Sequence, residues 1–76
     1  MRSSKVISRV RTYREAEPFE TQQSLADDLG VSRQTIIAIE SGRYSPSLDL
    51  ALRIARHFHL SVEEVFALDD APENDQ

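Results

Sequence analysis

The sequence predicts an all-α domain built from five short helices, and three observations support this fold class. Apolar residues recur at helical spacing in five segments. Ser or Thr stands immediately before four of these segments, where it can cap a helix, and short breakers, most of them with Gly or Pro, separate them. The length of 76 residues leaves room for one domain, and the absence of cysteine excludes a disulfide scaffold.

Two helices are predicted in the first 30 residues. Val6, Val10 and Tyr13 recur at helical spacing, and Pro18 ends this first segment. Thr21 is a suitable N-cap for the second helix, because its hydroxyl can accept a hydrogen bond from a backbone N–H of the first turn. The second helix carries three apolar residues and a terminal glycine: Leu25, Ala26, Leu29 and Gly30.

Three further helices follow at short intervals. Ser32 is expected to cap a third helix, with Gly42 just past its end. Ser47 is expected to cap a fourth helix, and Ser61–Glu64 has the pattern of a capping box at the start of a short fifth helix, which ends near Phe66. The fourth helix carries the largest apolar set: Leu48, Leu50, Ala51, Leu52, Ile54, Ala55 and Phe58.

Residues 22–41 have the pattern of two helices joined by a tight turn. Gly30 marks the turn, and Ala26, four residues earlier, is small enough for two steeply crossing helices to approach closely. This is the physical description of a helix-turn-helix unit. Four apolar side chains are expected to form the core that the two helices share: Leu25, Val31, Ile36 and Ile39.

The third helix is predicted to turn one face away from the core. At about 100° per residue, Ile36 and Ile39 share the inner side, and five residues form a continuous arc opposite them. Arg33 can hydrogen-bond guanine O6 and N7, and Gln34 can bond adenine N6 and N7. Ile37 is predicted to lie in solvent, where contact with a thymine methyl would explain it. The whole arc comprises Arg33, Gln34, Ile37, Ala38 and Ser41.

Residues 10–66 resemble the Cro/repressor-type helix-turn-helix family, also called the XRE family of bacterial and phage regulators. Among its members the chain is most similar to the short single-domain regulators. The resemblance implies a five-helix, Cro/repressor-like DNA-binding bundle. It rests on motifs in a fixed order: Thr21-Gln22, Leu25-Ala26, Leu29-Gly30-Val31-Ser32-Arg33-Gln34-Thr35-Ile36, Ile39-Glu40, Gly42-Arg43-Tyr44, Pro46-Ser47-Leu48, Ile54-Ala55 and Glu63-Glu64-Val65-Phe66.

The resemblance also implies roles for particular residues. Gln22 would bind a phosphate of double-stranded DNA, together with the N-terminal amides of the second helix. Arg14 and Glu40 match positions that form a structural ion pair between the first and third helices. Four residues would face the major groove: Arg33, Gln34, Ile37 and Ala38. Five others would hold the flanking DNA backbone: Ser32, Thr35, Ser41, Arg43 and Tyr44.

The chain is expected to have three parts. These are an N-terminal arm or short strand at residues 1–9, the helix-turn-helix domain at 10–66, and a short strand with an acidic tail at 67–76. Two apolar segments lie outside the four-helix core, Val6-Ile7 and Val65-Phe66-Ala67-Leu68. In the related short regulators such ends can pair as a small antiparallel ribbon that assists dimerisation, and the alternative is that they cap the core of a monomer. A homodimer is favoured, because one recognition helix reads too few base pairs for useful specificity. The two recognition helices of a twofold dimer would lie about 34 Å apart, which is one turn of DNA.

The predicted function is that of a sequence-specific, DNA-binding transcriptional repressor. It would bind a palindromic operator as a cytoplasmic homodimer through the helix at Ser32–Ser41. The alternative is an antitoxin or partner-binding module that binds DNA together with a second protein. The net charge of −4 neither supports nor excludes DNA binding, because residues 1–14 hold five bases and no acid, whereas residues 60–76 hold six acids and no base.

Membrane proteins, enzymes and metalloproteins are not expected. No apolar run approaches the roughly 20 residues that span a bilayer, and the N-terminus lacks a signal-peptide pattern. The acidic pairs Glu63-Glu64 and Asp69-Asp70 are typical of solvated surfaces rather than catalytic sites. His57 and His59 would diverge by about 200° on a helix, and no carboxylate or cysteine is expected to complete a metal site with them. We therefore predict no catalysis, no metal and no cofactor.

Overall fold

The computed structural model describes residues 5–69, which form five helices and a two-stranded sheet. This confirms the prediction of an all-α bundle with a small terminal ribbon. The first residues of the predicted arm and the predicted acidic tail lie outside the described range. The elements in chain order are β1 (Lys5–Ser8), α1 (Val10–Ala16), α2 (Gln22–Leu29), α3 (Arg33–Glu40), α4 (Leu48–His57), α5 (Val62–Val65) and β2 (Phe66–Asp69).

The two strands form an antiparallel ribbon that joins the ends of the described chain. Val6 lies opposite Leu68, and Ile7 lies opposite Ala67. The prediction that Val6 belongs to the first helix is therefore wrong, because α1 begins only at Val10. Helical spacing cannot reveal the partner Leu68, which lies about 60 residues away; that pairing was expected only from the family resemblance, and its hydrogen bonds decide the local structure.

The predicted helix caps are confirmed. In each case the side-chain oxygen of the cap accepts a hydrogen bond from the backbone N–H three residues later, and this stabilises the helix by about 1 kcal/mol. Gly30 and Gly42 have φ values of 72° and 81°, which glycine adopts without the steric penalty of a Cβ atom. The four capping residues are Thr21, Ser32, Ser47 and Ser61.

The hydrophobic core lies where α2, α3 and α4 meet, and α1 and α5 contribute one buried valine each. Ala26 is fully buried, as a close crossing of α2 and α3 requires, and Val31 packs against the core from the turn. Each large aliphatic side chain that leaves water in this way contributes about 1.5–3 kcal/mol. The largest fully buried side chains are Leu25, Ile36, Ile39, Ile54, Val10 and Val65.

The apolar residues of α4 divide into two sets. Leu50, Ala51, Ile54 and Ala55 face the core, whereas the outer side of the helix leaves its leucines in solvent. Leu48 is 73% exposed and Leu52 is 52% exposed. Within residues 5–69, no helix has the length and apolar character needed to cross a membrane.

Candidate nucleic-acid interface

Helix α3 is anchored on one side and open on the other. Ile36 and Ile39 are fully buried, whereas Arg33 and Gln34 are exposed. Ile37 is half-buried, so the prediction that it lies fully in solvent is wrong. A helical projection gives only the direction in which a side chain leaves the backbone, and a long aliphatic side chain can still lie along the protein surface.

The first turn of α3 holds two hydroxyl groups in fixed positions. Ser32 Oγ accepts a hydrogen bond from the Thr35 backbone N–H at 3.1 Å and lies 2.9 Å from Thr35 Oγ1. These side chains border a shallow groove along the open side of the helix. The groove brings five of the predicted site residues together: Ser32, Gln34, Thr35, Ala38 and Tyr44.

The C-terminal end of α3 folds back on itself and positions Ser41, Arg43 and Tyr44. The backbone N–H groups of Arg43 and Tyr44 both donate to the Ala38 carbonyl, at 3.1 and 3.3 Å. Arg43 Nε donates to Ser41 Oγ at 3.1 Å, so its guanidinium group is held beside the last turn. The reversal passes through Gly42 at φ 81°, and Tyr44 remains 47% exposed.

Gln22, at the start of α2, is joined to α3 by two hydrogen bonds. Its Nε2 donates to Glu40 Oε1 at 3.1 Å, and its Oε1 accepts from Arg33 Nη2 at 3.4 Å. The amide is therefore oriented by the first and last residues of α3. Gln22 and Arg33 border the same surface groove, so the structure brings a predicted phosphate ligand beside a predicted base-reading residue.

Arg14 and Glu40 form an ion pair between α1 and α3. Arg14 Nε lies 2.6 Å from Glu40 Oε2, Nη2 donates to Oε1 at 3.2 Å, and the two side chains are only 12% and 5% exposed. The hydrogen bond to Glu40 raises the pKa of Arg14 above its ordinary value, although partial burial opposes that shift. The ion pair holds Glu40, at the end of α3, in the position where it accepts the hydrogen bond from Gln22.

Two polar residues beside this interface were not predicted. Arg11 and Gln23 border the groove that contains Gln22 and Arg33. Both could have been inferred from spacing: Arg11 lies one turn before Arg14 on α1 and therefore on a neighbouring part of the same face, and Gln23 directly follows Gln22. Arg11 Nε also pairs with Glu15 at 3.0 Å across one turn of the exposed helix surface.

A second polar cluster lies at the end of α4. No carboxylate was expected to complete a set of metal ligands with either histidine, and this is wrong for His57: Glu20 and Asp28 approach it, with potential ligand atoms all within 4.8 Å of one another. His57 Nε2 lies 2.8 Å from Glu20 Oε1. Glu20 and Asp28 precede His57 by 37 and 29 positions in the sequence. Sequence spacing alone therefore could not identify them as its neighbours.

The chain is similar in sequence to known helix-turn-helix proteins. A family model described as helix-turn-helix matches residues 21–65. A helix-turn-helix-type transcriptional regulator of Methanocaldococcus jannaschii is 58% identical over 50 residues, which cover 66% of this chain and 76% of the relative. One from Archaeoglobus fulgidus is 46% identical over 63 residues, or 83% and 89% of the two chains.

A bacterial relative and a solved structure extend the comparison. A helix-turn-helix-type transcriptional regulator of Bacillus subtilis is 48% identical over 50 residues, which cover 66% of this chain and 76% of the relative. The solution structure of the SOS-response transcriptional repressor LexA from Eubacterium rectale superposes with a TM-score of 0.71 over 88% of this chain and 69% of that one. At 22% identity this likeness shows the fold alone.

The family model covers more than half of the chain, and the relatives match most of their own length. The turn at Gly30, the buried Ala26 and the apolar core that α2 and α3 share are the features from which the helix-turn-helix unit was predicted. The chain therefore belongs to the Cro/repressor-type, or XRE, family of helix-turn-helix transcriptional regulators.

Proposed function

We propose that this regulator is a repressor that binds a palindromic operator as a homodimer in the cytoplasm. The observation that carries the proposal is the position of Arg33 and Gln34, both exposed on a helix whose other side is held by the fully buried Ile36 and Ile39. A helix anchored in this way can enter the major groove as a rigid body. Occupying an operator then excludes polymerase without any further activity.

We assign direct base contacts to the exposed part of α3. Arg33 suits guanine and Gln34 suits adenine, because each can form two hydrogen bonds with the base edge. Ile37 and Ala38 offer apolar contact to thymine methyl groups, although Ala38 is too short to read a base by hydrogen bonding. The half-buried position of Ile37 limits this contact to the part of its side chain that remains accessible.

We assign phosphate contacts to the two ends of this surface. Gln22 and the first amides of α2 suit one phosphate. Ser32 and Thr35 at the start of α3 present hydroxyl groups, and beyond its end Ser41, Arg43 and Tyr44 form a second polar group. Such contacts fix the register of a protein on the duplex but carry no sequence information.

The terminal ribbon is the proposed dimer contact. In the described chain the sheet has two strands, so each has one edge without a partner strand. Ile7 is 41% exposed and Leu68 is 59% exposed, which leaves apolar surface on both faces of the ribbon. Unpaired edges with apolar side chains favour association with a second copy. A twofold dimer would then present two α3 helices about 34 Å apart.

Sedimentation can test this contact with a matched pair of variants. Leu68→Lys should convert the dimer to a monomer, because a charge would be buried in the contact. Leu52→Lys places the same charge at a similarly exposed leucine on α4, and should leave the dimer intact. A monomeric wild type, or dissociation by Leu52→Lys alone, would contradict the ribbon contact.

Selection of bound sequences from a random duplex library tests the proposed reading of DNA. At about 150 mM salt, where non-specific phosphate binding is weak, we expect an enriched inverted repeat with half-site centres one helical turn apart. A variant with Arg33→Ala and Gln34→Ala should fold but enrich nothing. Enrichment of a single half-site would contradict the palindromic dimer.

A partner-dependent regulator is the second candidate, and the outer side of α4 favours it. Leu48 and Leu52 lie one turn apart and are both strongly exposed, as on a helix that docks against another protein. In that case the chain alone would show only weak, salt-sensitive DNA binding in the same selection. Specific enrichment by the purified chain would argue against an obligatory partner.

A further inference from the structure

We propose that Glu20, Asp28 and His57 form a binding site for a divalent first-row transition metal ion, with Zn²⁺ as the reference ion. The three side chains come from the α1–α2 connection, from α2 and from the last residue of α4. Their potential ligand atoms lie within 4.8 Å of one another. Glu20 also borders the groove that contains Gln22 and Arg33, whereas Asp28 and His57 border a second concave surface. The site does not rest on the proposed mode of DNA binding.

The backbone turns Glu20 inward at this point. The Glu20 N–H donates to the Glu17 carbonyl at 3.4 Å across a four-residue turn with Pro18 at its second position. Phe19 has φ 67°, as the third position of a type II turn requires, and is 97% exposed. The Glu20 side chain is only 12% exposed, so the turn places phenylalanine in solvent and a carboxylate against the protein.

The His57 ring is also held in place, whereas Asp28 is exposed. The His57 ring meets Phe58 edge-on at 4.9 Å between centroids, and its side chain is 23% exposed. The Ser24 hydroxyl lies 3.4 Å from Glu20 Oε2, while Oε1 faces His57. Metal ligands are commonly oriented by such outer hydrogen bonds. Glu20, Asp28 and His57 border one concave surface, which leaves room for water to complete the coordination.

One imidazole nitrogen and two carboxylates are a donor set that first-row divalent metals accept. Bonds of about 2.0–2.2 Å in tetrahedral geometry separate neighbouring ligand atoms by about 3.4 Å. His57 Nε2 and Glu20 Oε1 are 2.8 Å apart, and all three ligand atoms lie within 4.8 Å of one another, so side-chain adjustments on the order of 1 Å would bring them to that spacing. The ion would replace the contact between His57 Nε2 and Glu20, and the second ring nitrogen would keep its proton.

Asp28 distinguishes a metal site from a simple structural contact. A hydrogen bond between His57 and Glu20 is enough to tie α4 to the connection before α2. It gives no reason for a second carboxylate nearby, because two like charges repel each other. Among the described residues, Asp28 forms no hydrogen bond or ion pair through its side chain, whereas the neighbouring Asp27 accepts one from Gln23 at 2.9 Å.

The test is calorimetric titration of the untagged full-length protein with Zn²⁺ in metal-free buffer, with two ligand variants and one matched control. Asp28→Asn should weaken binding at least about tenfold, and so should His57→Gln, because each removes a direct ligand. Asp27→Asn removes the same charge one residue away and should leave the affinity unchanged. In NMR spectra, Zn²⁺ should shift the ring signals of His57 in the wild type but not in Asp28→Asn.

Thermal melting provides a second measurement that separates binding from folding. Without metal, Asp28→Asn should melt at the same temperature as the wild type or slightly higher, because one repulsive charge is lost. Zn²⁺ should raise the melting temperature of the wild type and of Asp27→Asn, but not of Asp28→Asn. Equal Zn²⁺ affinity in Asp27→Asn and Asp28→Asn, or no measurable binding by the wild type, would overturn the proposal.

Discussion

Two partly buried polar clusters in this molecule contain a glutamate, and they differ in how many hydrogen-bond donors surround the carboxylate. Beside the α3 surface, Glu40 accepts two hydrogen bonds from Arg14 and one from Gln22. At the end of α4, Glu20 contacts the imidazole of His57, and Asp28 lies nearby with no side-chain partner among the described residues. The first arrangement balances its charge within the protein, whereas the second leaves an excess of carboxylate oxygen.

The difference shows how the same side chain serves two purposes. A carboxylate surrounded by donors becomes a fixed support, since every alternative position would leave a buried charge unpaired. The two hydrogen bonds from Arg14 fix the orientation of the Glu40 carboxylate. Gln22 bonds both Glu40 and the exposed Arg33, and so connects this carboxylate to the surface. A carboxylate pair with too few donors keeps the capacity to accept a cation. We expect the first cluster to control rigidity and the second to respond to metal.

The largest expected effect is the loss of stability when Glu40 is removed. Glu40→Ala should lower the free energy of unfolding by about 3 kcal/mol, because it leaves the Arg14 charge buried without its partner. Glu20→Ala should cost only about 1 kcal/mol, because it removes one hydrogen bond to a partly exposed His57. Urea denaturation of both variants measures the contrast directly.

An exposed ion pair supplies the control for that contrast. Arg11 and Glu15 are 69% and 53% exposed, so Glu15→Ala should change the free energy of unfolding by less than about 0.5 kcal/mol. Similar costs for Glu40→Ala and Glu20→Ala would show that the two clusters do not differ in the way proposed.

The next largest effect concerns the surface that Glu40 supports. Arg33→Ala should weaken operator binding by about 1–3 kcal/mol and relax the preference at one base position, because a bidentate contact to guanine is lost. Equilibrium binding to the operator and to single-base variants measures both quantities. Uniform weakening on every sequence would mean that Arg33 contacts the backbone instead.

Arg43 provides the complementary case at the other end of α3. Arg43→Ala should weaken binding to all sequences alike and lower the slope of log affinity against log salt by about one, as expected for one phosphate contact. Titrations at several salt concentrations measure the slope. Identical behaviour of the Arg33 and Arg43 variants would remove the proposed division between base reading and phosphate binding.

The parts of the fold that depend on neighbours in sequence could be predicted. Thr21, Ser32, Ser47 and Ser61 act as caps, because capping requires only a side chain and a backbone group three residues apart. The open side of α3 follows from its period, and Arg33 and Gln34 are indeed exposed. Helical spacing alone placed Val6 with the first helix, whereas the family resemblance assigned residues 1–9 to an arm or short strand. The strand depends on Leu68 at the other end of the described chain, which spacing cannot reveal.

The clusters reveal the same division between local and long-range information. The pairing of Arg14 with Glu40 was expected from family resemblance, not from spacing, since the residues lie on different helices. The meeting of Glu20 and Asp28 with His57 was missed, because no local pattern encodes it. It depends on the turn at Phe19, whose positive φ is unusual for a bulky residue and has no signature in the sequence beyond the preceding proline.

The smallest expected effects compare the backbone turns beside the two clusters. Gly42→Ala, after α3, should lower the free energy of unfolding by about 1 kcal/mol, because a residue with a Cβ atom is disfavoured at φ 81°. The added Cβ would itself contact nothing within 4 Å. The cost is therefore conformational rather than steric. Phe19→Gly, before Glu20, should have the opposite sign and raise the free energy of unfolding by about 0.5 kcal/mol, since it relieves a strained φ of 67°.

Chemical denaturation of both variants and of Phe19→Ala tests this last contrast. Phe19→Ala removes the exposed ring but keeps a Cβ at the same φ, so it should leave the free energy of unfolding nearly unchanged. If Phe19→Ala lowered it by as much as Gly42→Ala, the phenylalanine ring would have to make a stabilising contact despite its 97% exposure. If only Phe19→Gly raised the free energy of unfolding, the result would show that Phe19 is held at a φ it does not prefer. The turn that brings Glu20 to His57 would then be maintained at a conformational cost.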